Sequence, residues 1–332
     1  MRLGITIPLE GFQNRRLLDL VRRAESLGYT DLWSMESFSN DAFTPLAAAA
    51  AVSERLRLGT AIVPVFTRPP ALIAMAAATV QQISNGRLIL GLGISTPIIV
   101  EQWMGVPFKK PVTRVRETVE ALRAIFAKNR VVMAGKTITI NGFRLDSELD
   151  APPPIFLGAQ GPLMLRTAGE LGDGVITNFI TPEALPTMLE QVNQGALAAG
   201  KDPAKLDLVC RIVTVVDEDT DQVRAELRRS LTAYVTVPQY NQFFRWIGFE
   251  HEAAEALAAW NAGDRKKAMQ CVSERMVDSI HVFGDADACR ARLQVYAAAG
   301  VKTATLLLTS FARDPEQKRA RLLHAMEALA PR

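Results

Sequence analysis

The chain has 332 residues, of which 48% are hydrophobic, and its 38 basic and 35 acidic residues give a net charge of +3. This hydrophobic fraction supports a large core and excludes a disordered protein, and the even charge gives no sign of nucleic-acid or membrane-surface binding. Three widely spaced cysteines and three scattered histidines suggest neither a disulfide framework nor a metal site. No signal peptide and no apolar run long enough to span a bilayer stands out, so we expect a cytoplasmic protein without membrane partners.

The first third of the chain alternates strands with helices. The hydrophobic pattern predicts strands at 2–8, 30–35 and 56–63 and helices at 14–27, 44–52 and 70–83. Thr44 is the expected N-cap of the second helix, with Pro45 at its first helical position. A fourth strand begins after Asn85-Gly86.

The remainder continues the alternation. Helices are predicted at 110–126, 163–171, 182–199, 285–299 and 315–329, strands at 155–159, 174–177, 206–216 and 303–309, and a small hairpin at 131–145. Eight strands, each followed by a helical segment, predict a parallel (β/α)8 TIM barrel, with a doubly wound open sheet as the alternative. The helical, aromatic-rich stretch 219–279 is then an insertion between strands seven and eight, of the kind that builds a substrate cavity.

The fourth strand carries the sequence around which the chain is organised. An apolar run from Gly86 ends in Gly91-Leu92-Gly93-Ile94-Ser95-Thr96-Pro97. A dinucleotide fingerprint would need glycine at position 96 and an immediate helix, which Pro97 interrupts. The alternatives are a ligand-binding end of a barrel strand and a tight turn without a ligand.

Several blocks taken together resemble one known family. They are 32–36, 57–62, 68–70, 84–105 with Pro107, Phe108 and Pro111, 157–162, 168–174, 237–240 and 262–265. As a set, they resemble the luciferase-like monooxygenase superfamily, and more narrowly its branch that uses the 5-deazaflavin coenzyme F420.

The resemblance implies one TIM-barrel domain over 1–332, with the insertion at about 219–279. It also implies a homodimer that transfers a hydride between C5 of coenzyme F420 and a small organic substrate. An FMN-dependent monooxygenase that uses oxygen is the alternative on the same fold. A catalytically silent cofactor-binding protein is the alternative of another class, because histidines common in relatives are replaced here by Ser37 and Met104.

The resemblance also implies site residues. Ala61-Ile62 is expected to form a non-proline cis peptide that bulges against the deazaflavin ring, with an ordinary strand end as the alternative. The loop that starts the helix after strand five is expected to hold the cofactor phosphate. The expected cofactor-binding residues are Glu36, Ala61, Ile62, Gly93, Ser95, Thr96, Gly158, Ala159, Gln160, Gly161, Pro162, Thr177 and Asn178.

Acid–base candidates and pocket residues complete the prediction. Glu36 and Glu101 are the candidates for proton transfer, and either could instead be a structural hydrogen-bonding group. Substrate-contacting candidates, each with a core role as its alternative, are Phe38, Trp103, Met104, Tyr240 and Phe244. Basic residues that could meet the anionic coenzyme tail, or simply lie in solvent, are Arg68, Lys109, Lys110 and Arg114.

Overall fold

The computed structural model describes residues 1–12, 14–36 and 40–331. Its strands are β1 (Arg2–Ile7), β2 (Asp31–Ser34), β3 (Arg57–Thr60), β4 (Val63–Pro64), β5 (Leu88–Gly93), β6 (Val131–Ala134), β7 (Thr139–Phe143), β8 (Ile155–Gly158), β9 (Gly174–Asn178), β10 (Asp207–Val216), β11 (Val282–Gly284) and β12 (Thr303–Leu308). Its α-helices are α1 (Leu17–Ser26), α2 (Phe43–Ala50), α3 (Pro70–Ile83), α4 (Pro111–Phe126), α5 (Pro162–Leu171), α6 (Leu185–Ala198), α7 (Thr220–Val235), α8 (Pro238–Trp246), α9 (Glu250–Asn261), α10 (Arg265–Gln270), α11 (Glu274–Ile280), α12 (Ala286–Ala298) and α13 (Pro315–Ala328). Short 3₁₀ turns lie at Asn14–Arg16 and Pro203–Lys205, and a π-helical turn at Ile98–Trp103.

The parallel strands close into a barrel. Around the ring the order is β10, β12, β1, β2, β3, β5, β8 and β9, and β9 pairs with β10 to complete it. The predicted (β/α)8 barrel is therefore confirmed, and the open doubly wound alternative is wrong because β10 has partners on both sides. Helices α7 to α11 lie between β10 and β11 in the chain, where the helical insertion is predicted.

The barrel interior is layered because side chains alternate along each strand. A central apolar layer consists of Trp33, Ile89, Phe156, Ile176 and Val209. A Cβ atom at Gly59 would lie 2.2 Å from the ring of Trp33, so glycine makes room for the indole. Residues on the other face of each strand, such as Leu90 and Leu157, pack in the core beneath the helices.

Charged side chains fill the N-terminal end of the barrel. Arg57 lies 2.5 Å from Asp31 and 3.2 Å from Asp207, and Arg2 also pairs with Asp207. Burial raises the pKa of Asp31 despite the opposing charge of Arg57. These four side chains form an ion-pair network at this end of the barrel.

Two local features differ from the sequence prediction. Thr44 is not the N-cap of α2, which begins at Phe43; the carboxylate of Asp41 instead accepts the N–H groups of Phe43 and Thr44, at 2.9 and 3.0 Å. The strand β11 was not predicted, because three residues are too few to show an alternating pattern. It pairs with the last three residues of β10.

Candidate functional site

A bulge marks the C-terminal mouth of the barrel. Gly59 pairs with Ile89, and Val63 pairs with Leu92. The segment from Gly59 to Val63 therefore advances four residues while β5 advances three, so it contains one extra residue. The Thr60 hydroxyl fills the gap in the ladder: it accepts the N–H of Gly91 and donates to the carbonyl of Gly91, both at 2.8 Å. The intervening segment, Ala61-Ile62, leaves the sheet.

The prediction of a cis peptide between Ala61 and Ile62 is wrong. The bond is trans, and the chain turns because Ile62 has a φ of 84°. This left-handed conformation is strained for a β-branched residue and is seen where the surroundings enforce it. The N–H of Ala61, bonded at 2.6 Å to the carbonyl of Ser34, anchors the start of the bulge.

Ile62 packs against two glycines at the neighbouring strand ends. A Cβ atom at Gly158 would lie 2.7 Å from Cγ2 of Ile62, and one at Gly93 would lie 3.1 Å from its Cβ. A side chain at either position would displace Ile62. Three of the predicted cofactor-binding residues therefore lie together at the mouth, with the side chain of Ile62 packed over two glycines; we call this surface the glycine wall (Ile62, Gly93 and Gly158).

Glu36 is engaged by a neighbouring arginine. Its carboxylate accepts the Nε and Nη2 groups of Arg68, at 2.9 and 2.8 Å, and the N–H of Ala42 at 3.0 Å. The hydrogen bonds that Arg68 donates to Glu36 raise the pKa of the Arg68 guanidinium, against the effect of burial. Glu36 thus lies near the mouth but fixes Arg68 and the start of α2, which favours a positioning role over proton transfer.

The loop after β5 is organised by its own side chains. Ser95 has a φ of 61°, and the Thr96 hydroxyl accepts the N–H of Ile99 at 3.4 Å at the start of the π-helical turn. Glu101 is exposed and accepts the N–H of Phe108 at 2.9 Å. A solvent-facing carboxylate that holds a loop is poorly suited to catalysis, so the structure favours a structural role for Glu101.

The β8–α5 loop presents backbone donors. Gly161 is the N-cap of α5 with no side-chain cap, Pro162 follows it, and the N–H groups of Leu163 and Met164 have no carbonyl one turn earlier in the helix. Gln160 Nε2 donates to Asn178 Oδ1 at 2.6 Å. This loop is therefore tied to the end of β9.

Two neighbouring predicted residues have different hydrogen-bonding states. The N–H of Ala159 donates to the carbonyl of Ile176 at 2.9 Å, which continues the sheet into the loop. The buried Thr177 hydroxyl has no hydrogen-bond partner among the described residues. The N–H groups at the start of α5 are of the kind that suits an anionic group.

Aromatic side chains cluster where the chain leaves β9 and in the helices of the insertion. The ring centroid of Phe179 lies 4.5 Å from that of Tyr234 and 5.9 Å from that of Tyr240. The centroids of the two tyrosine rings are 5.3 Å apart. Burial and Tyr234 raise the pKa of Tyr240, although Arg211 and a hydrogen bond with Asn178 oppose the shift. Phe244 is fully buried behind Phe179, so it supports this aromatic wall (Phe179, Tyr234 and Tyr240) and is not exposed to a substrate.

The other predicted substrate contacts lie elsewhere. Trp103 and Met104 are about half exposed at the end of the π-helical turn. Phe38 lies outside the described residues. Among the predicted tail contacts, Lys109 and Lys110 are exposed, whereas Arg114 donates to the carbonyls of Val65 and Thr137.

Sequence reasoning missed Arg211. On β10, Val209 points into the barrel, so alternation places Arg211 on the same inner face, nearer the mouth. A guanidinium N–H of Arg211 contacts Met35 Sδ, and no carboxylate among the described residues pairs with it. The sequence signal was a single charge in an otherwise apolar strand, Leu208 to Val216.

A separate cavity of about 470 Å³ lies between α7, α11 and α12, and none of the predicted site residues line it. His281, at its edge, is buried and its Nδ1 lies 2.9 Å from the carbonyl of Val277. Burial lowers the pKa of His281 to about 4, so it is neutral at pH 7. In the part of the chain that the structure describes, no cluster of His, Cys, Asp or Glu could hold a metal ion.

No helix among the described residues is long and apolar enough to cross a membrane.

Comparison with known proteins identifies the family. The sequence profile described as luciferase-like monooxygenase matches residues 1–303. A Mycobacterium tuberculosis protein that carries the provisional name of a coenzyme F420-dependent oxidoreductase is 30% identical over 323 residues, which cover 91% of this chain and 93% of that protein. The 5,10-methylenetetrahydromethanopterin reductase of Archaeoglobus fulgidus is 29% identical over 306 residues, 90% of each chain.

Solved structures agree with this assignment. The coenzyme F420-dependent tetrahydromethanopterin reductase of Methanopyrus kandleri has a TM-score of 0.77 at 25% identity, over 99% of this chain and 97% of that one. An F420-dependent secondary alcohol dehydrogenase, in complex with an F420–acetone adduct, has a TM-score of 0.78 over 99% of both chains; at 21% identity it shows the shared fold alone. The resemblance seen in the sequence is confirmed, and the chain belongs to the luciferase-like monooxygenase family of enzymes.

Proposed function

We propose that this enzyme transfers a hydride between coenzyme F420 and a small organic substrate at the C-terminal mouth of its barrel. The observation that carries the proposal is the glycine wall, where Ile62 protrudes between two strand ends that have no side chains. A Cβ atom at Gly158 would displace Ile62, so the glycines fix the side chain on which a planar ring would pack. The F420-dependent relatives support this cofactor over FMN.

The residues present fit the coenzyme in two places. The ring would lie against the glycine wall, and the phosphate would meet the free N–H groups at the start of α5, with the orphaned hydroxyl of Thr177 nearby. When bound, the coenzyme supplies or accepts a hydride at one ring carbon. The protein then contributes orientation, ring electronics and the exclusion of water.

The aromatic wall would cover the substrate side. Tyr234 and Tyr240 are half-buried, so their rings can exclude water while part of each remains accessible from the mouth. The Tyr240 phenol is protonated at neutral pH, and burial raises its pKa further. Its hydroxyl could therefore donate a hydrogen bond to a substrate oxygen, a role that Glu36 and Glu101 are poorly placed to fill.

The test is a pair of fluorescence titrations with coenzyme F420 and with FMN. F420 should bind and FMN should not, and reduced cofactor on the enzyme should react slowly with oxygen. Tight binding of FMN alone, with rapid reoxidation, would instead identify an oxygen-using monooxygenase. Binding of F420 without turnover of any substrate in a broad panel would favour the catalytically silent alternative.

We also propose that the chain forms a single domain and a homodimer. Leu72, Met75 and Ile83 are exposed along one side of α3, an apolar stripe that a second copy would cover. Replacing Met75 with glutamate should shift the protein from dimer to monomer in light scattering. The same substitution at Val132, which is exposed on the hairpin, is the matched control and should leave the mass unchanged.

A further inference from the structure

Arg211 is a cation with no counter-charge among the residues that the structure describes. Its side chain is half-buried and contacts Met35 Sδ, while no described carboxylate forms an ion pair with it. A thioether is a weak acceptor, and a guanidinium carries five N–H donors. One weak contact leaves most of these donors unused. A charge that is partly buried normally has a partner, and a bound ligand would supply it here.

The register of the sheet places this donor in the mouth. Arg211 pairs with Asn178 on β9 and with Thr305 on β12. Three strands separate β10 from β3 in either direction around the ring, so Arg211 lies across the barrel from the bulge at Ile62. The guanidinium of Arg211 reaches Met35 at the end of β2, so a ring held on the glycine wall would share the mouth with it.

The neighbours of Arg211 define what it would bind. Tyr240 is close enough for the charge of Arg211 to influence its titration, and Tyr240 stands in the aromatic wall with Tyr234. A cation beside aromatic rings recognises an organic anion whose apolar body packs on the rings. The glycine wall has no comparable charge of its own.

We infer that Arg211 is a specificity-determining residue that binds a carboxylate group of the organic substrate. This inference rests on the proposed function, because it places the substrate between Arg211 and the coenzyme ring. The enzyme would then favour substrates that combine an apolar or aromatic body with a carboxylate. Their neutral analogues would bind poorly.

The experiment uses benzoate as the probe and benzamide as its neutral isostere. Each is titrated calorimetrically into the wild-type protein, Arg211→Met and Arg211→Lys, with and without coenzyme F420. Arg22→Met is the control, because it removes the same charge from the exposed surface of α1. A separate F420 titration of every protein reports the cofactor site.

Benzoate should bind more tightly than benzamide to the wild type and to Arg22→Met. Its affinity should fall about 10- to 100-fold in Arg211→Met and less in Arg211→Lys, which keeps the charge but loses the planar fork. The inference is overturned if benzoate binds no better than benzamide, or if its affinity is the same in Arg211→Met. It is also overturned if Arg211→Met weakens F420 and leaves benzoate unchanged, which would assign the cation to the coenzyme ring.

Failure of the proposed function gives a different pattern. If F420 binds none of the proteins while benzoate still depends on Arg211, the anion site stands and the cofactor assignment falls. Should Arg211→Met fail to fold, as judged by circular dichroism, the comparison of benzoate with benzamide in the wild type and in Arg211→Lys still decides the matter.

Discussion

Replacing Thr60 with valine should collapse the bulge on which the proposed ring site depends. Valine has nearly the shape of threonine but lacks the hydroxyl that binds both the N–H and the carbonyl of Gly91. Thr60 and Gly91 are buried, so both backbone groups would be left without partners and without water. An unsatisfied buried group costs about 1–3 kcal/mol. Allowing for relaxation, we expect the free energy of unfolding to fall by about 2–4 kcal/mol.

Serine at the same position is the matched control. Thr60→Ser keeps the hydroxyl and removes one buried methyl group, which costs about 1 kcal/mol. Urea unfolding followed by circular dichroism gives both values, and F420 titration reports the site. Thr60→Val should also weaken F420 binding more than Thr60→Ser does, because the bulge is no longer held.

Two results would refute this reasoning. If valine destabilises the protein no more than serine, the hydroxyl does not replace the interrupted ladder. If valine destabilises the fold but F420 binds as before, the bulge does not contribute to the cofactor site.

Three further predictions concern packing, an ion pair and pH. Gly158→Ala should destabilise the protein by about 1–3 kcal/mol through contact with Ile62, and adding Ile62→Ala should relieve part of that cost; additive effects in urea unfolding would contradict the contact. Arg68→Met should cost about 1–3 kcal/mol and more than Glu36→Gln, because it leaves a largely buried carboxylate unpaired; equal costs in the same assay would argue against this. Since the folded pKa of His281 is about 4 and the unfolded value 6.5, the unfolded chain binds the extra proton between these values. The unfolding free energy should therefore fall by up to about 1.4 kcal/mol per unit as pH drops through this window, and a slope unchanged in His281→Gln would rule out this origin.

Most barrel strands and their helices were predictable because each carries a local hydrophobic pattern. The apolar run of β1 and the amphipathic spacing in α4 are local properties, so neither needed knowledge of a partner. The predicted N-cap of α2 was wrong because capping depends on the conformation of the preceding residues, not on the hydrophobic pattern. Thr44 has the right residue type, but the chain before it lets Asp41 reach the same N–H groups first.

The geometry of the bulge could not be read from the sequence. The family resemblance located Ala61-Ile62 correctly as an irregular segment but implied a cis bond, whereas the structure bends through the φ of Ile62. That conformation depends on the hydroxyl of Thr60 and on space beside Gly93 and Gly158. Each of these is a contact between distant residues, which no local pattern encodes.

The pairing of charges inside the barrel also depends on contacts between distant residues, and it differs between the two ends of the barrel. Arg57 and Arg211 are both inward-facing arginines in buried strands, and the sequence alone treats them alike. Arg57 joins Arg2, Asp31 and Asp207 in a network with equal numbers of positive and negative groups. Arg211 has no such partner among the described residues. In the N-terminal network each charge has a partner, whereas the guanidinium of Arg211 keeps donors for a ligand. This difference in pairing supports the proposal that the substrate binds at the mouth.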